Sequence, residues 1–251
     1  MSEDSQSQTL KAILGLRGLV IDGELKAGAR VSETIIVERF GVSRTPARMA
    51  LVKMHEEGLL EYTSSGYVVA SFTEGDLFDA IEIRGTLEGM AVRFAAERGL
   101  SASALSVLDR CVEEMDEVVS LGAASMFEDF ARLNDRFHEL LVTASGSRML
   151  SRSLESIKKL PFAAPNAFVH TAYSNGPGAL EILKSGQRQH RTIVNLIRDR
   201  KGTRAQALML EHSFSATAYL QSVIESHSTL DSIPGLSLIQ RAGLSASLLK
   251  H

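Results

Sequence analysis

"GVSRTPARMALVKMHEEGLL", residues 41–60, places two arginines at the start of an otherwise apolar helix. Arg44 and Arg48 are one helical turn apart, and Ser43 directly before them is a favourable N-cap residue. The helix predicted from this pattern runs to Gly58. Its predicted buried face consists of Ala47, Ala50, Leu51 and Met54. Both arginines fall outside or at the edge of that face, so we expect their side chains to be exposed.

The sequence on either side of this helix completes an order of elements. Apolar residues at helical spacing predict a first helix over residues 9–22, and Ser32 and Gly41 bracket a second, short helix. The stretch LLEYTSSGYVVASF, residues 59–72, predicts two short strands around a Ser-Ser-Gly turn. Helix, helix, turn, helix and β-hairpin is the order of a winged helix-turn-helix.

A winged helix-turn-helix predicts double-stranded DNA as a partner. The second helix of the motif enters the major groove with its N-terminal residues leading, and arginine there can read guanine or bind phosphate. The predicted DNA contacts are Ser43, Arg44, Thr45 and Arg48 on the helix, and Ser65 and Gly66 at the hairpin tip. Two arginines alone would favour a solvated amphipathic helix, and it is the pattern of the flanking elements that shifts the interpretation to DNA binding.

Composition limits the other classes of function. The chain has 251 residues, a formal net charge of −3, 6% aromatic residues and no tryptophan, which favours a mainly helical protein without an overall basic surface. No apolar run approaches the roughly 18 residues that cross a bilayer, and the polar, acidic N-terminus does not resemble a signal peptide. Cys111 is the only cysteine, so we expect no internal disulfide and a cytoplasmic protein without a membrane partner.

The sequence after residue 72 has helical periodicity throughout its patterned part. Thr73 and Asp76 resemble a capping box at the start of the first helix of this half. We expect a winged helix over residues 1–72, an all-helical effector-binding and dimerisation domain over 73–226, and a tail over 227–251. The tail is weakly patterned, and is either disordered or an arm that packs on a partner.

Three histidines of the helical half point inward. His138, His190 and His212 each lie on the apolar stripe of a different predicted helix. A single inward histidine is usually a hydrogen-bonded core residue, but inward histidines on several helices can build a metal site. Asn134 lies one turn before His138 on the same face and could add an amide oxygen. The pattern predicts a site for a divalent metal, with Zn²⁺ or Ni²⁺ as candidates.

Arg84 interrupts the apolar stripe of the first helix of this half, and a buried guanidinium requires a partner. That partner is either Glu88, one turn later, or the carboxylate of a small ligand that also completes the coordination of a metal. The sequence leaves both alternatives open. In the second, the predicted effector-binding residues are Arg84, Asn134, His138, His190 and His212.

Residues 10–72 resemble the winged helix of the GntR superfamily of bacterial transcription regulators, and GVSRTPAR is the most specific part of the resemblance. The resemblance implies that Arg44, Thr45 and Arg48 contact DNA. Thr34 stands where the family often has an arginine, which implies that one phosphate or base contact is missing.

The helical half resembles the FadR-like branch of that superfamily, whose effector-binding domain is all-helical. The matching stretches include LNDRFHELLVTASGS, QHRTIVNLIRDR and ALMLEHSFSA. In many members an aspartate and three histidines bind a divalent metal, and the resemblance assigns those roles to Asn134, His138, His190 and His212. The neutral amide of Asn134 replaces the aspartate, which removes one negative charge and weakens the site.

Together these features predict a mainly α-helical bacterial transcription regulator that binds operator DNA as a homodimer. We expect a repressor that a small organic acid releases from its operator. An alternative is a three-histidine metalloenzyme with an accessory N-terminal domain, but the pattern of residues 41–48 then has no explanation. In a third interpretation the metal has been lost, and the histidines with Asn134 bind the ligand directly.

Overall fold

A computed structural model describes residues 3–121, 126–160, 163, 177–225 and 235–239. The described residues form two compact units. The first consists of residues 3–77, 159–160 and 235–239, and the second of residues 78–158, 163 and 177–225. The division into parts at residues 72 and 226 stays a prediction. No helix among the described residues is long and apolar enough to span a membrane.

The first unit contains three helices and a three-stranded antiparallel sheet. The helices are α1 (Glu3–Ile21), α2 (Glu33–Phe40) and α3 (Arg44–Glu56), and the strands are β1 (Arg30–Val31), β2 (Leu60–Thr63) and β3 (Gly66–Val69). The strand order is β1-β3-β2, with Tyr62 opposite Tyr67 in the hairpin. This is the winged helix-turn-helix that the sequence predicts.

Capping residues explain where α2 and α3 begin and end. The Ser32 side chain accepts a hydrogen bond from the backbone N–H of Ile35, and Gly41 ends α2 in the left-handed conformation, with φ of 62°. Ser43 occupies the N-cap position of α3, but its side chain makes no capping hydrogen bond. Ser43 therefore occupies the predicted N-cap position with an extended backbone, but the side-chain hydrogen bond expected of an N-cap serine is absent.

One apolar core holds the first unit together. Its fully buried residues come from all three helices, the sheet and the segment 236–238, and include Leu16, Ile36, Ala47, Met54, Leu60 and Leu238. The backbone N–H of Phe72 donates to the carbonyl of Leu238 at 2.9 Å. This part of the tail is therefore ordered and packs on its own chain, and the rest of the tail lies outside the described residues.

The second unit is built from helices, the first of which has its opening turn within residues 3–77, in the first unit. They are α4 (Glu74–Arg98), α5 (Ala102–Leu121), α6 (Met126–Ala144), α7 (Arg148–Lys158), α8 (Pro177–Arg198) and α9 (Gly202–Glu225). Thr73 and Asp76 form the predicted capping box, since the Thr73 N–H donates to the Asp76 carboxylate at 2.7 Å and the Asp76 N–H donates to Thr73 Oγ1 at 3.1 Å. The main core of this unit surrounds Phe137 on α6.

Gly85 lets α4 and α9 approach each other closely. A Cβ atom added at Gly85 would lie 2.6 Å from Cβ of Ser213, which is closer than real carbon atoms approach. Ser213 follows His212 in the chain, so the absence of a side chain at Gly85 also sets how near His212 lies to α4.

We expect Gly85→Ala to lower the free energy of unfolding by about 1–3 kcal/mol, because the two helices must separate to admit the methyl group. Gly75→Ala is the matched control on the same helix, since its Cβ would meet Thr73 Oγ1 at an ordinary 3.5 Å. Urea denaturation followed by circular dichroism measures both variants. Equal midpoints for Gly85→Ala and the unsubstituted protein would contradict the packing argument.

Candidate DNA interface and metal centre

The leading turn of α3 presents its polar side chains to solvent. Arg44, Thr45 and Arg48 are exposed. The opposite face of the helix is anchored in the core by the buried side chains of Pro46, Ala47, Ala50, Leu51 and Met54. The geometry therefore holds three candidate DNA contacts on a rigid helix, in the positions that the sequence predicts.

Arg48 is paired within the chain. Its Nε donates to Glu33 Oε1 on α2 at 2.7 Å, and the hydrogen bond with the arginine lowers the pKa of the Glu33 carboxyl. The Arg48 side chain nevertheless remains 71% exposed, so its guanidinium stays accessible. Exposed pairs of this kind contribute little to stability. Arg48 is therefore exposed, as the sequence predicts, but it is not free of other side chains, because it is paired with Glu33.

The hairpin tip has a fixed turn. Thr63 Oγ1 accepts the backbone N–H of Ser65 at 3.2 Å and donates to the carbonyl of Gly66 at 3.0 Å. Gly66 has φ of 105°, a conformation that residues with a side chain rarely adopt. Ser65 is exposed at this tip, where the sequence predicts a contact to DNA.

The three predicted histidines meet inside the second unit. His138 on α6, His190 on α8 and His212 on α9 each offer one ring nitrogen, and these atoms lie within 4.8 Å of one another. His138 and His190 are 1% exposed, and His212 is partly exposed. Asn134 is buried one turn before His138, and its part in the site stays a prediction.

Each of these histidines has an oxygen atom beside Nδ1. His138 Nδ1 lies 3.0 Å from Glu88 Oε2, His190 Nδ1 lies 3.1 Å from Gln187 Oε1, and His212 Nδ1 lies 3.0 Å from Gln189 Oε1. At His138 and His190 this oxygen favours the tautomer with a proton on Nδ1, which leaves the lone pair on Nε2. At His212 the Gln189 amide can present either its oxygen or its nitrogen. Nε2 of His190 and Nε2 of His212 are 3.1 Å apart.

Glu88 is the partner of Arg84 in this structure. Nη1 of Arg84 donates to Glu88 Oε2 at 3.2 Å, and both side chains are almost completely buried. Burial opposes ionisation of Glu88, but attraction to His138 and Arg84 outweighs it and lowers the pKa of the carboxyl to about 2. Among the described residues, buried Nε of Arg84 and Oε1 of Glu88 have no hydrogen-bond partner.

The surroundings keep two of the histidines neutral. Burial and the neighbouring His212 and His138 move the pKa of His190 well below its ordinary value. Desolvation of the ring, with His138 and Arg84 nearby, lowers the pKa of His212 to about 3. Neutral imidazole is the form that binds a metal, so the site offers ligands in the required state.

The donor set fits a divalent metal of the zinc type. Zinc–nitrogen bonds of about 2.0–2.1 Å in a tetrahedron put neighbouring nitrogen atoms about 3.3 Å apart. The 3.1 Å between Nε2 of His190 and Nε2 of His212 is close to that separation. Two neutral imidazoles with lone pairs facing each other at this distance repel unless a cation lies between them or one of the two nitrogens carries a proton.

Sequence reasoning missed the oxygens that orient the histidines. Gln187 lies three residues before His190 on one helix, a spacing that was available as a signal. Gln189 and Glu88 contact histidines of other helices, so spacing along the chain gives no indication of them. Glu88 was expected only as a partner for Arg84.

A winged helix-turn-helix followed by an all-helical unit defines a class of DNA-binding regulator. Comparison of the chain with known protein families gives the same class. Residues 9–66 match bacterial regulatory proteins of the gntR family, and residues 79–214 match the FCD domain. The chain therefore belongs to the GntR family of bacterial regulatory proteins and carries an FCD domain.

Similar proteins span nearly the same length. The chain is 29% identical over 215 residues to the uncharacterized HTH-type transcriptional regulator YdhC of Bacillus subtilis, covering 84% of this chain and 89% of that protein. It is 25% identical over 232 residues to the HTH-type transcriptional repressor GlaR of Escherichia coli, covering 86% and 98%. The solved structure of E. coli McbR/YncC has the same fold, with a TM-score of 0.62 and 21% identity over 86% of this chain and 98% of that chain.

Family membership confirms the predicted fold class and the prediction of a transcriptional regulator rather than an enzyme. GntR regulators bind operator DNA and effector ligands, commonly as dimers, and FCD domains can bind metals. The alternative of a three-histidine metalloenzyme is wrong for this family.

Stability of the metal-free protein should fall as the pH drops from 7 to 5. The lowered pKa values of His190 and His212 mean that the unfolded chain takes up protons below about pH 6.5 which the folded chain does not. Each such histidine lowers the free energy of unfolding by up to about 1.4 kcal/mol for every pH unit below about 6.5. Glu88 contributes stability above about pH 4.5 that is lost only toward pH 2, so it does not act between pH 5 and 7.

Urea denaturation at several pH values, after removal of metal with a chelator, measures this slope. His212→Gln should reduce it, and His55→Gln, at an exposed histidine of the first unit, serves as the control. A stability that does not change between pH 7 and 5 would contradict the assignment of neutral buried imidazoles.

Proposed function

We propose that this protein is a homodimeric repressor that binds operator DNA through α3 and is released by a small carboxylate ligand of its second unit. GlaR, which is similar over 98% of its length, is named a repressor, whereas another similar protein of Escherichia coli is named the Glc operon transcriptional activator, so the sign of regulation is itself part of the proposal. The observation that carries the proposal is the cationic leading turn of α3, exposed on a helix whose other face is fixed in the core.

DNA reading in this proposal depends on Ser43, Arg44, Thr45 and Arg48, with Ser65 and Gly66 of the hairpin. The planar fork of an arginine can hold guanine by two hydrogen bonds or bind a phosphate. A single winged helix contacts few base pairs, so two copies related by a two-fold axis double the contacts on a palindromic operator.

We expect Arg44→Ala and Arg48→Ala each to weaken operator binding about 5- to 150-fold, the range for losing about 1–3 kcal/mol at an arginine contact. Lys53→Ala is the control, because it removes the same charge from the far end of α3. Mobility shift at several salt concentrations measures the affinity, and the salt slope should fall if a phosphate contact is lost. Unchanged affinity in both arginine variants would refute this part of the proposal.

Ligand binding in this proposal depends on the histidine cluster and Arg84. Arg84 and its buried Nε, without a partner among the described residues, favour an anion as the ligand. His138, His190 and His212, with Asn134, would hold a divalent ion such as Zn²⁺ or Ni²⁺. Such an ion, when bound, supplies positive charge and open coordination positions for a carboxylate.

Arg84 connects the ligand to the protein in this mechanism. Its Nη1 is already bonded to Glu88, so a ligand carboxylate at Nε would share the guanidinium with Glu88. The ligand would bring a second negative charge, which a bound divalent ion would balance. The ligand can release the operator only by binding more tightly to the form of the dimer that does not bind DNA.

A thermal-shift screen of small organic acids, with and without Zn²⁺, tests the ligand site. We expect an acid to raise the melting temperature only when the metal is present, because ligand that binds the native state stabilises it by mass action. A shift without metal would favour direct binding by the histidines and Asn134. The absence of any shift with a broad set of acids would contradict a carboxylate effector.

His190→Ala should bind operator with unchanged affinity and lose both the ligand-dependent shift and the release from DNA. Thr192→Ala, exposed on the same helix, is the matched control and should behave as the unsubstituted protein. Weakened operator binding in His190→Ala without ligand would contradict the separation of the two roles.

A further inference from the structure

Gln187 has an amide group whose orientation is fixed by its neighbours. The side chain is 3% exposed, and its Nε2 donates to the carbonyl of Val112 and to Oδ1 of Asp116, both at 2.9 Å. Both partners only accept hydrogen bonds, so the nitrogen of the amide must face them. Asp116 in turn forms an ion pair with Arg191.

The fixed amide determines which nitrogen of His190 carries the proton. Because the amide nitrogen faces α5, Oε1 is the atom that lies 3.1 Å from Nδ1 of His190. An amide oxygen only accepts, so Nδ1 must donate. A neutral imidazole has a single N–H, and the lone pair of His190 is therefore on Nε2, the atom that faces His212.

We propose that Gln187 is a positioning residue of the histidine cluster, which fixes His190 in the Nδ1–H tautomer and directs its Nε2 lone pair at the other histidines. The use of that lone pair as a metal ligand rests on the proposed function. The tautomer itself follows from the hydrogen bonds of α5 and α8 and exists without any metal.

The metal-free protein requires the opposite tautomer for His212, with the proton on Nε2. With Nε2 of His190 as an acceptor, the 3.1 Å contact requires Nε2 of His212 to donate when no metal is bound. Nδ1 of His212 then accepts, and Gln189, which is partly exposed, must turn its amide nitrogen toward it. Metal binding would remove the proton from Nε2 of His212 and place one on Nδ1, whereas His190 would need no change.

Long-range ¹H–¹⁵N correlation spectra of the metal-free protein test the assignment, because the two ring nitrogens have different shifts in each tautomer. We expect His190 to be protonated on Nδ1 and His212 on Nε2. Gln187→Met should let His190 populate both tautomers, while Gln189→Met, the matched control, should leave His190 unchanged. Protonation of His190 on Nε2 in the unsubstituted protein would overturn the proposal, and this measurement needs no variant to fold.

Competition with a chelator measures the affinity for Zn²⁺ in the same proteins. We expect Gln187→Met to weaken it about 10- to 100-fold, as the loss of a residue that orients a metal ligand does. Unchanged affinity in a folded Gln187→Met would overturn the role of Gln187. If the unsubstituted protein bound no Zn²⁺ but had His190 protonated on Nδ1, the proposed metal would be refuted and the tautomer assignment supported.

Discussion

The buried carboxylate of Glu88 is the constraint on which the helical unit depends. It is fully buried on α4, and one of its oxygens accepts hydrogen bonds from Arg84 and from His138 of α6. A carboxylate without partners in the interior would cost several kcal/mol, and removing one partner of a buried pair costs about 3–5 kcal/mol. The pairing therefore holds α4 and α6 in one register. Because His138 is one of the paired residues, the same register fixes its position in the histidine cluster.

The same low-polarity interior decides the state of the other two histidines. Desolvation lowers the pKa of His190 and of His212 and so keeps both rings neutral. The absence of a side chain at Gly85 contributes, because it lets α9, which carries His212, come close to α4. A neutral imidazole in the core normally satisfies both nitrogens with protein partners. Here Nδ1 of His190 has an oxygen partner, while the Nε2 atoms of His190 and His212 face each other. That arrangement requires a proton on one of the two Nε2 atoms or a metal ion between them.

Periodicity explains which part of the structure the sequence could predict. Residues three or four apart share a helix face, so the inward position of His138, His190 and His212 could be derived from the chain alone. Contacts between helices could not, because spacing tells which face a residue occupies but not what lies opposite. The pairs Arg48–Glu33 and Gln187–Asp116 are of this kind. The start of α1 at Glu3 was also missed, since its first turns are polar and carry no apolar pattern.

The pairing of Arg48 with Glu33 bears on how a chain of net charge −3 selects DNA. Non-specific affinity comes from phosphate contacts and grows with the number of cations at the surface. An arginine that already shares its Nε with a carboxylate has less attraction for phosphate, because the neighbouring negative charge is repelled by DNA. Its terminal nitrogens remain on an exposed guanidinium that the ion pair orients, and in the proposed function these nitrogens would contact DNA. If Arg48 contacts a base as proposed, the acidic partner would lower the general attraction to DNA more than the recognition of that base pair.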